Sequence, residues 1–238
     1  MPHQAYKFRI YPNKDQQALI HQTHGHCRFV YNHFLALWKT SYEEEEGKGL
    51  NRSIMSKMLT KMKKQDDTAW LRNVDSVALQ ASYENLLDAF QRFFQKQNNY
   101  PRFKSKKNPV QSYTTKNTNN NIAIVGNQMK LPKLGLVKFA KSRDIEGRIL
   151  KATIKYNASG TFYVSVLCEV PDFKPLPQTN EAVGIDLGIT DFAILSDGRK
   201  VDNQRFTAKM EQKLKREQCK LSRRYEQAKK EGVIYVRA

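Results

Sequence analysis

The stretch Ala182-Val183-Gly184-Ile185-Asp186-Leu187-Gly188-Ile189-Thr190, continued by Asp191-Phe192-Ala193-Ile194-Leu195-Ser196-Asp197-Gly198, sets one carboxylate among apolar side chains. An ionised Asp buried in such a strand costs several kcal/mol unless something pairs with it, so a metal ion is the natural partner of Asp186. The pattern predicts a strand, a tight turn, a second strand over 192–195, a turn at Asp197-Gly198 and a third strand near 200–201. About fifty residues follow Asp186. That length is too short to finish a larger sheet and return two further carboxylates to one metal, so the sheet is expected to be incomplete.

Outside this stretch the chain is strongly basic. It has 238 residues with 41 Lys+Arg against 23 Asp+Glu, a net charge of +18, and a pI near 9.8. Such an excess calls for an anionic partner, of which nucleic acid is the commonest for a globular chain; a solvated basic surface is the plain alternative. A hydrophobic content of 39% suffices for a core in one or two domains. No apolar run is long enough to span a membrane and the start Met1-Pro2-His3-Gln4-Ala5-Tyr6-Lys7 lacks a secretory apolar region, so a cytoplasmic location without membrane partners is expected. Cys27, Cys168 and Cys219 form neither a disulfide framework nor a C-x-x-C zinc pair.

Working back toward the N-terminus, Pro171, Pro175 and Pro177 in a polar stretch read as a linker over 173–180. The segment before it has period two. Strands are expected at 112–116, 121–125, 128–131 and 137–139, with the clearest hairpin pairing 151–156 with 161–170 through Asn157-Ala158-Ser159-Gly160. The segment 13–100 has period 3.6. Asn13 with Gln16 forms a capping box for a helix whose apolar face is Cys27, Val30, Tyr31, Phe34, Leu35 and Trp38. A second helix starts near 51–53 and carries Ile54, Met58 and Met62 inward. A third begins near Asp75 with Leu79, Tyr83, Leu86, Leu87, Phe90, Phe93 and Phe94 on its apolar side. His21, His24, His26 and His33 lie on the first helix; His24 and His26 cannot share a face, which argues for packing or surface roles rather than zinc. The acidic run at 43–46 with Gly47-Lys48-Gly49 reads as a solvated helix end and loop.

Two basic segments suit nucleic acid. The run Tyr100-Pro101-Arg102-Phe103-Lys104-Ser105-Lys106-Lys107 interleaves cations with aromatics, chemistry for phosphate contact with base stacking; a loop with one buried Phe is the bland alternative. A final helix over 207–230 carries Leu214, Leu221, Tyr225 and Ala228 on one side and Lys215, Arg216, Arg223 and Arg224 among its cations, and can track a phosphate backbone or simply be solvated.

The phrases Ala5-Tyr6-Lys7-Phe8-Arg9-Ile10-Tyr11-Pro12, Cys27-Arg28-Phe29-Val30-Tyr31-Asn32, Tyr100-Pro101-Arg102-Phe103-Lys104-Ser105-Lys106, Lys130-Leu131-Pro132-Lys133-Leu134-Gly135 and Gly184-Ile185-Asp186-Leu187-Gly188 occur in the order seen in the TnpB (OrfB) transposon-encoded proteins, which the chain resembles up to about Lys230. The resemblance implies an α+β chain: a wedge-type β-barrel with an inserted helical recognition domain, followed by the start of a RuvC-like, ribonuclease-H-type α/β domain. The expected segments are a first barrel strand at 1–12, a helical recognition insert at 13–100, the barrel at 101–172, the linker at 173–180 and an incomplete RuvC-like domain with its basic helix at 181–238. It also implies RNA-guided DNA cleavage, with guide RNA and target DNA as partners.

By the same resemblance Asp186 is the first catalytic carboxylate and a ligand for magnesium or manganese, and Arg28 joins Tyr100, Arg102, Phe103, Lys104, Lys106, Lys107 and the helix cations in holding nucleic acid. The family's later Glu, final Asp and four-cysteine zinc ribbon find no counterpart after Asp186, so zinc is not expected. The tail 232–238 departs from the basic continuation of the family. The chain is therefore expected to be a C-terminally truncated member that binds RNA and DNA but cannot cut alone, unless a missing C-terminal polypeptide completes the site. A nuclease-incompetent binding protein or repressor is the alternative. The 184–190 loop is also close to the phosphate loop of actin-like ATPases, but nothing after it would bind adenosine.

Overall fold

Alternation decides the first strand: in β1 (His3–Tyr11) Tyr6, Phe8 and Ile10 are buried at every second position, and Pro12, lacking an N–H, ends it. The computed structural model describes residues 2–44, 49–171, 177, 179 and 181–232. Expectations for the end of the acidic run at 45–48, for Pro175 in the linker and for the tail at 233–238 lie outside these residues.

The capping box forms as expected. The Gln16 amide N–H donates to Asn13 Oδ1 at 2.8 Å and that of Asn13 to Gln16 Oε1 at 3.0 Å, starting α1 (Lys14–Glu44). Gln16 Nε2 also donates to the carbonyls of Leu134 and Leu136, which ties the helix start to the sheet. Ile20, Cys27, Val30, Tyr31, Phe34, Leu35 and Trp38 form the buried stripe. His24 and His26 are buried beside it.

Asn51 caps α2 (Arg52–Met62), its side chain accepting from the Ile54 N–H. The buried stripe of α2 is Met55, Leu59 and Met62, and Ile54 is 42% exposed. The expected face is thus turned by one residue, about 100°, with Met58 half-buried at its edge. A 3₁₀ segment, Asp66–Asn73, buries Leu71 and leads to Asp75, the N-cap of α3 (Ser76–Phe94). Leu79, Tyr83, Leu86 and Phe90 of α3 face the core, whereas Phe94 is exposed.

Six further strands, β2 (Gln111–Lys116), β3 (Ala123–Val125), β4 (Gln128–Leu131), β5 (Gly135–Phe139), β6 (Arg148–Tyr156) and β7 (Phe162–Glu169), join β1 in one antiparallel sheet of order β2-β6-β7-β1-β5-β4-β3. β1 runs against β7 from His3↔Glu169 to Ile10↔Phe162 and meets β5 at Ile10↔Phe139. Among the described residues the ladder is open, ending at β2 and β3, and does not close into a barrel. One face is apolar: Tyr6, Phe8 and Ile10 share a core with Met129, Val137, Ile154, Val164, Val166 and the stripes of α1 and α3. Each such aliphatic or aromatic side chain contributes about 1.5–3 kcal/mol by leaving water, which holds helices and sheet together although they are far apart in sequence.

The chain divides into two compact units, 1–174 and 175–238. The second contains β8 (Ile185–Asp186), β9 (Asp191–Leu195), β10 (Lys200–Asp202) and α4 (Phe206–Lys230), with sheet order β10-β9-β8. The Asp197-Gly198 turn joins β9 to β10, and Gly198 takes the positive φ of +84° that the turn requires. Here the sequence expectation fails. β8 is a two-residue edge strand, and Ile185, Leu187 and Ile189 are 64%, 71% and 89% exposed. Asp186 is exposed as well, because no apolar layer of described residues covers that edge. The desolvation argument for a metal at this carboxylate therefore does not apply.

Candidate nucleic-acid interface

The basic loop after α3 is held in place by α1. Pro101 is buried at its base. Asn32 Nδ2 donates to the Lys104 carbonyl at 2.9 Å and the Lys104 N–H donates to Asn32 Oδ1 at 2.8 Å, a two-point clamp across 72 residues of sequence. The loop is also organised from within. The Lys107 N–H donates to Ser105 Oγ, the Val110 N–H donates to Asn108 Oδ1, and Gln111 Nε2 donates to the carbonyls of Ser105 and Asn108. On the helix side Arg28 Nη1 reaches Gln111 Oε1 at 3.5 Å.

Two clefts flank this contact. One, of about 360 Å³, has His24, Arg28, Phe103, Lys104 and Gln111 in its wall. The other, of about 570 Å³, is bounded by His21, His24, Arg28, Lys106, Lys107 and Tyr156. No Asp or Glu lines either cleft, and among the described residues no carboxylate forms a salt bridge with Arg28, Lys104, Lys106 or Lys107. A cluster of cations without counter-charge produces a positive potential that favours an anionic ligand. Lys104 is exposed as a residue, and its ammonium packs over the Tyr31 ring, 4.1 Å from the centroid. Desolvation there pushes its pKa down, opposed by the neighbouring Cys27 thiol.

Beneath both clefts His24 is 4% exposed, and neither ring nitrogen makes a hydrogen bond of good geometry. Burial lowers its pKa to about 4; the nearby Ile154 carbonyl opposes this, and the charges of His21 and Arg28 add to it. The imidazole is therefore neutral near pH 7. Burial likewise pushes the Cys27 thiol up to about 12, so this cysteine is not a nucleophile.

The site residues expected from sequence divide into groups. Arg28, Phe103, Lys104, Lys106 and Lys107 come together around the two clefts. Arg102 is exposed and lines neither. Tyr100 lies edge-on to Phe90 and Phe93, at 5.6 and 5.3 Å, within an aromatic cluster that includes Trp38 and Tyr42. In the second unit Lys215, Arg216 and Arg223 share a face of α4 with Gln212, Cys219 and Lys220; Arg224 is exposed outside that face. Asn32, Gln111 and His24 were missing from the sequence-based set. The helical spacing His21, His24, Arg28, Asn32 is the signal that places two of these, His24 and Asn32, on one stripe with Arg28.

Asp186 lies on β8 of the three-stranded sheet in the second unit. No group of three His, Cys, Asp or Glu side chains among the described residues is arranged to hold a metal ion. The donors present among the described residues thus do not by themselves make a divalent-cation centre.

Residues 1–48 match a family model described as "Helix-turn-helix domain", and residues 165–234 match one described as "Probable transposase". Within the first match the described residues form β1 and the single long helix α1. A Streptomyces pristinaespiralis protein named "Putative RNA-guided DNA endonuclease" is 32% identical over 223 residues, 92% of this chain and 54% of the relative. "Putative RNA-guided DNA endonuclease InsQ" of Escherichia coli (strain K12) is 32% identical over 224 residues, 93% of this chain and 54% of the relative. The chain thus spans about half the length of these curated relatives. A Cas12f1 chain from a complex with sgRNA and target DNA matches with a TM-score of 0.39 and 11% identity, over 98% of this chain and 65% of that one.

Proposed function

We infer, for a chain that belongs to the TnpB (OrfB) family, that the cationic clefts between α1 and the 101–110 loop hold the phosphate backbone of RNA or DNA, as part of an RNA-guided nuclease assembly. The observation that carries this reading is the gathering of Arg28, Lys104, Lys106 and Lys107 around two clefts without a carboxylate. The names of the relatives favour guide RNA and target DNA as the ligands. The cation stripe of α4, with Lys215, Arg216 and Arg223, and the exposed Arg102 and Arg224 add further phosphate contacts. The open seven-stranded sheet is read as the wedge-type barrel element with α1 to α3 as its helical recognition insert. The order β8, β9, β10, α4 is read as the opening of a RuvC-like domain.

In that reading Asp186 supplies one carboxylate of a magnesium or manganese centre whose other ligands come from polypeptide outside these 238 residues. A single exposed carboxylate does not position two metal-bound oxygens for phosphodiester cleavage, so these residues by themselves bind and do not cut. The test is fluorescence anisotropy with a labelled RNA hairpin and with duplex DNA between 50 and 200 mM salt. A plot of log Kd against log salt with a slope of several units is expected, together with intact DNA after incubation with magnesium or manganese. Affinity indifferent to salt overturns the binding reading. Metal-dependent cleavage by this chain alone overturns the division of labour.

A further inference from the structure

We propose that the cleft of about 570 Å³ between α1 and the loop receives one unstacked nucleotide, its phosphate held by Arg28, Lys106 and Lys107 and its base inserted toward His24 and the Tyr156 wall. This rests on the nucleic-acid reading above and adds a base-binding site to it. Three observations converge. The volume lies in the range of small-ligand pockets, roughly 300–1,000 Å³, whereas a duplex groove contact needs no cavity. The wall is mixed in the way base recognition requires: cations at the rim, the Tyr156 and His21 rings 4.7 Å apart and edge-on at one side, and the amides of Asn108 and Gln111 at another.

The third observation is His24. Its ring nitrogens are buried without a hydrogen bond of good geometry, although the Ile154 carbonyl lies close to the ring. As a neutral ring it keeps one donor and one acceptor, and a turn of the ring toward the cleft brings one of them to the edge of a bound base. Arg28 is similarly under-used, with one long contact to Gln111 and the remaining guanidinium donors directed to no carboxylate among the described residues. Stacking and edge contact with a single base are worth about 1–3 kcal/mol, about tenfold or more in affinity.

The experiment uses four-unit phosphate backbones with abasic sugars, labelled at the 5′ end, compared with the same backbones carrying one base, in DNA and RNA series. Anisotropy titrations at low salt are run with the intact chain, H24F and R28Q. For the intact chain, adding the base is expected to tighten binding about tenfold. In H24F, which keeps a neutral ring but removes both ring nitrogens, that gain disappears. In R28Q the all-abasic backbone itself binds more weakly. A preference confined to the RNA series assigns the nucleotide to RNA, and equal gains assign the site to the base and phosphate alone. Binding of the all-abasic backbone with no gain from the base overturns this inference and leaves the basic-surface reading standing. No binding of any backbone, with melting curves showing intact fold, overturns both. If H24F fails to fold, Y156L, which removes the aromatic wall of the cleft, replaces it with the same expected loss of the gain.

Discussion

Replacing Asp75 by Ala tests whether the helical part of the first unit is bolted to its sheet through one buried carboxylate. Asp75 is 8% exposed. Its Oδ1 accepts from the Val77 N–H at 3.0 Å and caps α3, while Oδ2 accepts from the buried hydroxyl of Thr115 on β2. Losing an Asp N-cap costs about 1 kcal/mol, and leaving the Thr115 hydroxyl unpaired adds about 1–3 kcal/mol. D75A should therefore destabilise by about 2–4 kcal/mol, equivalent to a fall in Tm of roughly 5–15 °C for a unit of this size. Both tryptophans, Trp38 and Trp70, belong to the first unit, so urea unfolding followed by tryptophan fluorescence reads that unit alone. Adding T115V to D75A removes the unpaired hydroxyl and should recover part of the loss, making the pair strongly non-additive. A D75A loss under about 0.5 kcal/mol, or additive behaviour of the two changes, would falsify the buried-bolt argument.

Other perturbations follow from the same geometry. Gly147 has φ +83°, and an added Cβ would lie 2.1 Å from the Glu169 carbonyl oxygen, so G147A should lower the urea midpoint by more than a typical surface change because backbone rather than a flexible side chain must move. His24 has a pKa near 4 folded against 6.5 unfolded. The unfolded chain therefore takes up the proton first as pH falls, and about 3 kcal/mol of stability, complete above pH 6.5, is lost progressively toward pH 4. His26 and His33 are shifted the same way by burial, so H24F should reduce the pH slope of urea midpoints without abolishing it; an unchanged slope contradicts the assignment. Replacing Arg28, Lys106 and Lys107 together by Gln should flatten the salt dependence of single-strand binding by up to about 2 units, at about 0.7 per phosphate contact. An unchanged slope in anisotropy titrations would place the phosphates elsewhere.

Local patterns were legible in the sequence alone. The alternation of Tyr6, Phe8 and Ile10, the Asn13/Gln16 box, the apolar stripe from Cys27 to Trp38 and the strand-turn-strand run after Ile185 follow from backbone periodicity and short-range hydrogen bonding, which depend on neighbours within a few residues. Five ordered phrases likewise carried the family resemblance. Features that depend on what covers a residue were not legible. Asp186 sits in an apolar phrase, yet its strand is a short exposed edge, because burial is set by the layer packed above a strand and not by its own side chains. One residue of helical phase, about 100°, decided between Ile54 and Met55 for the same reason. Arg28 and Gln111 are 83 residues apart, and their meeting beside the buried His24 arises from α1 packing against β2 where the basic loop returns. Composition supplied the positive charge; only the tertiary fold gathered part of it into clefts lined by no carboxylate.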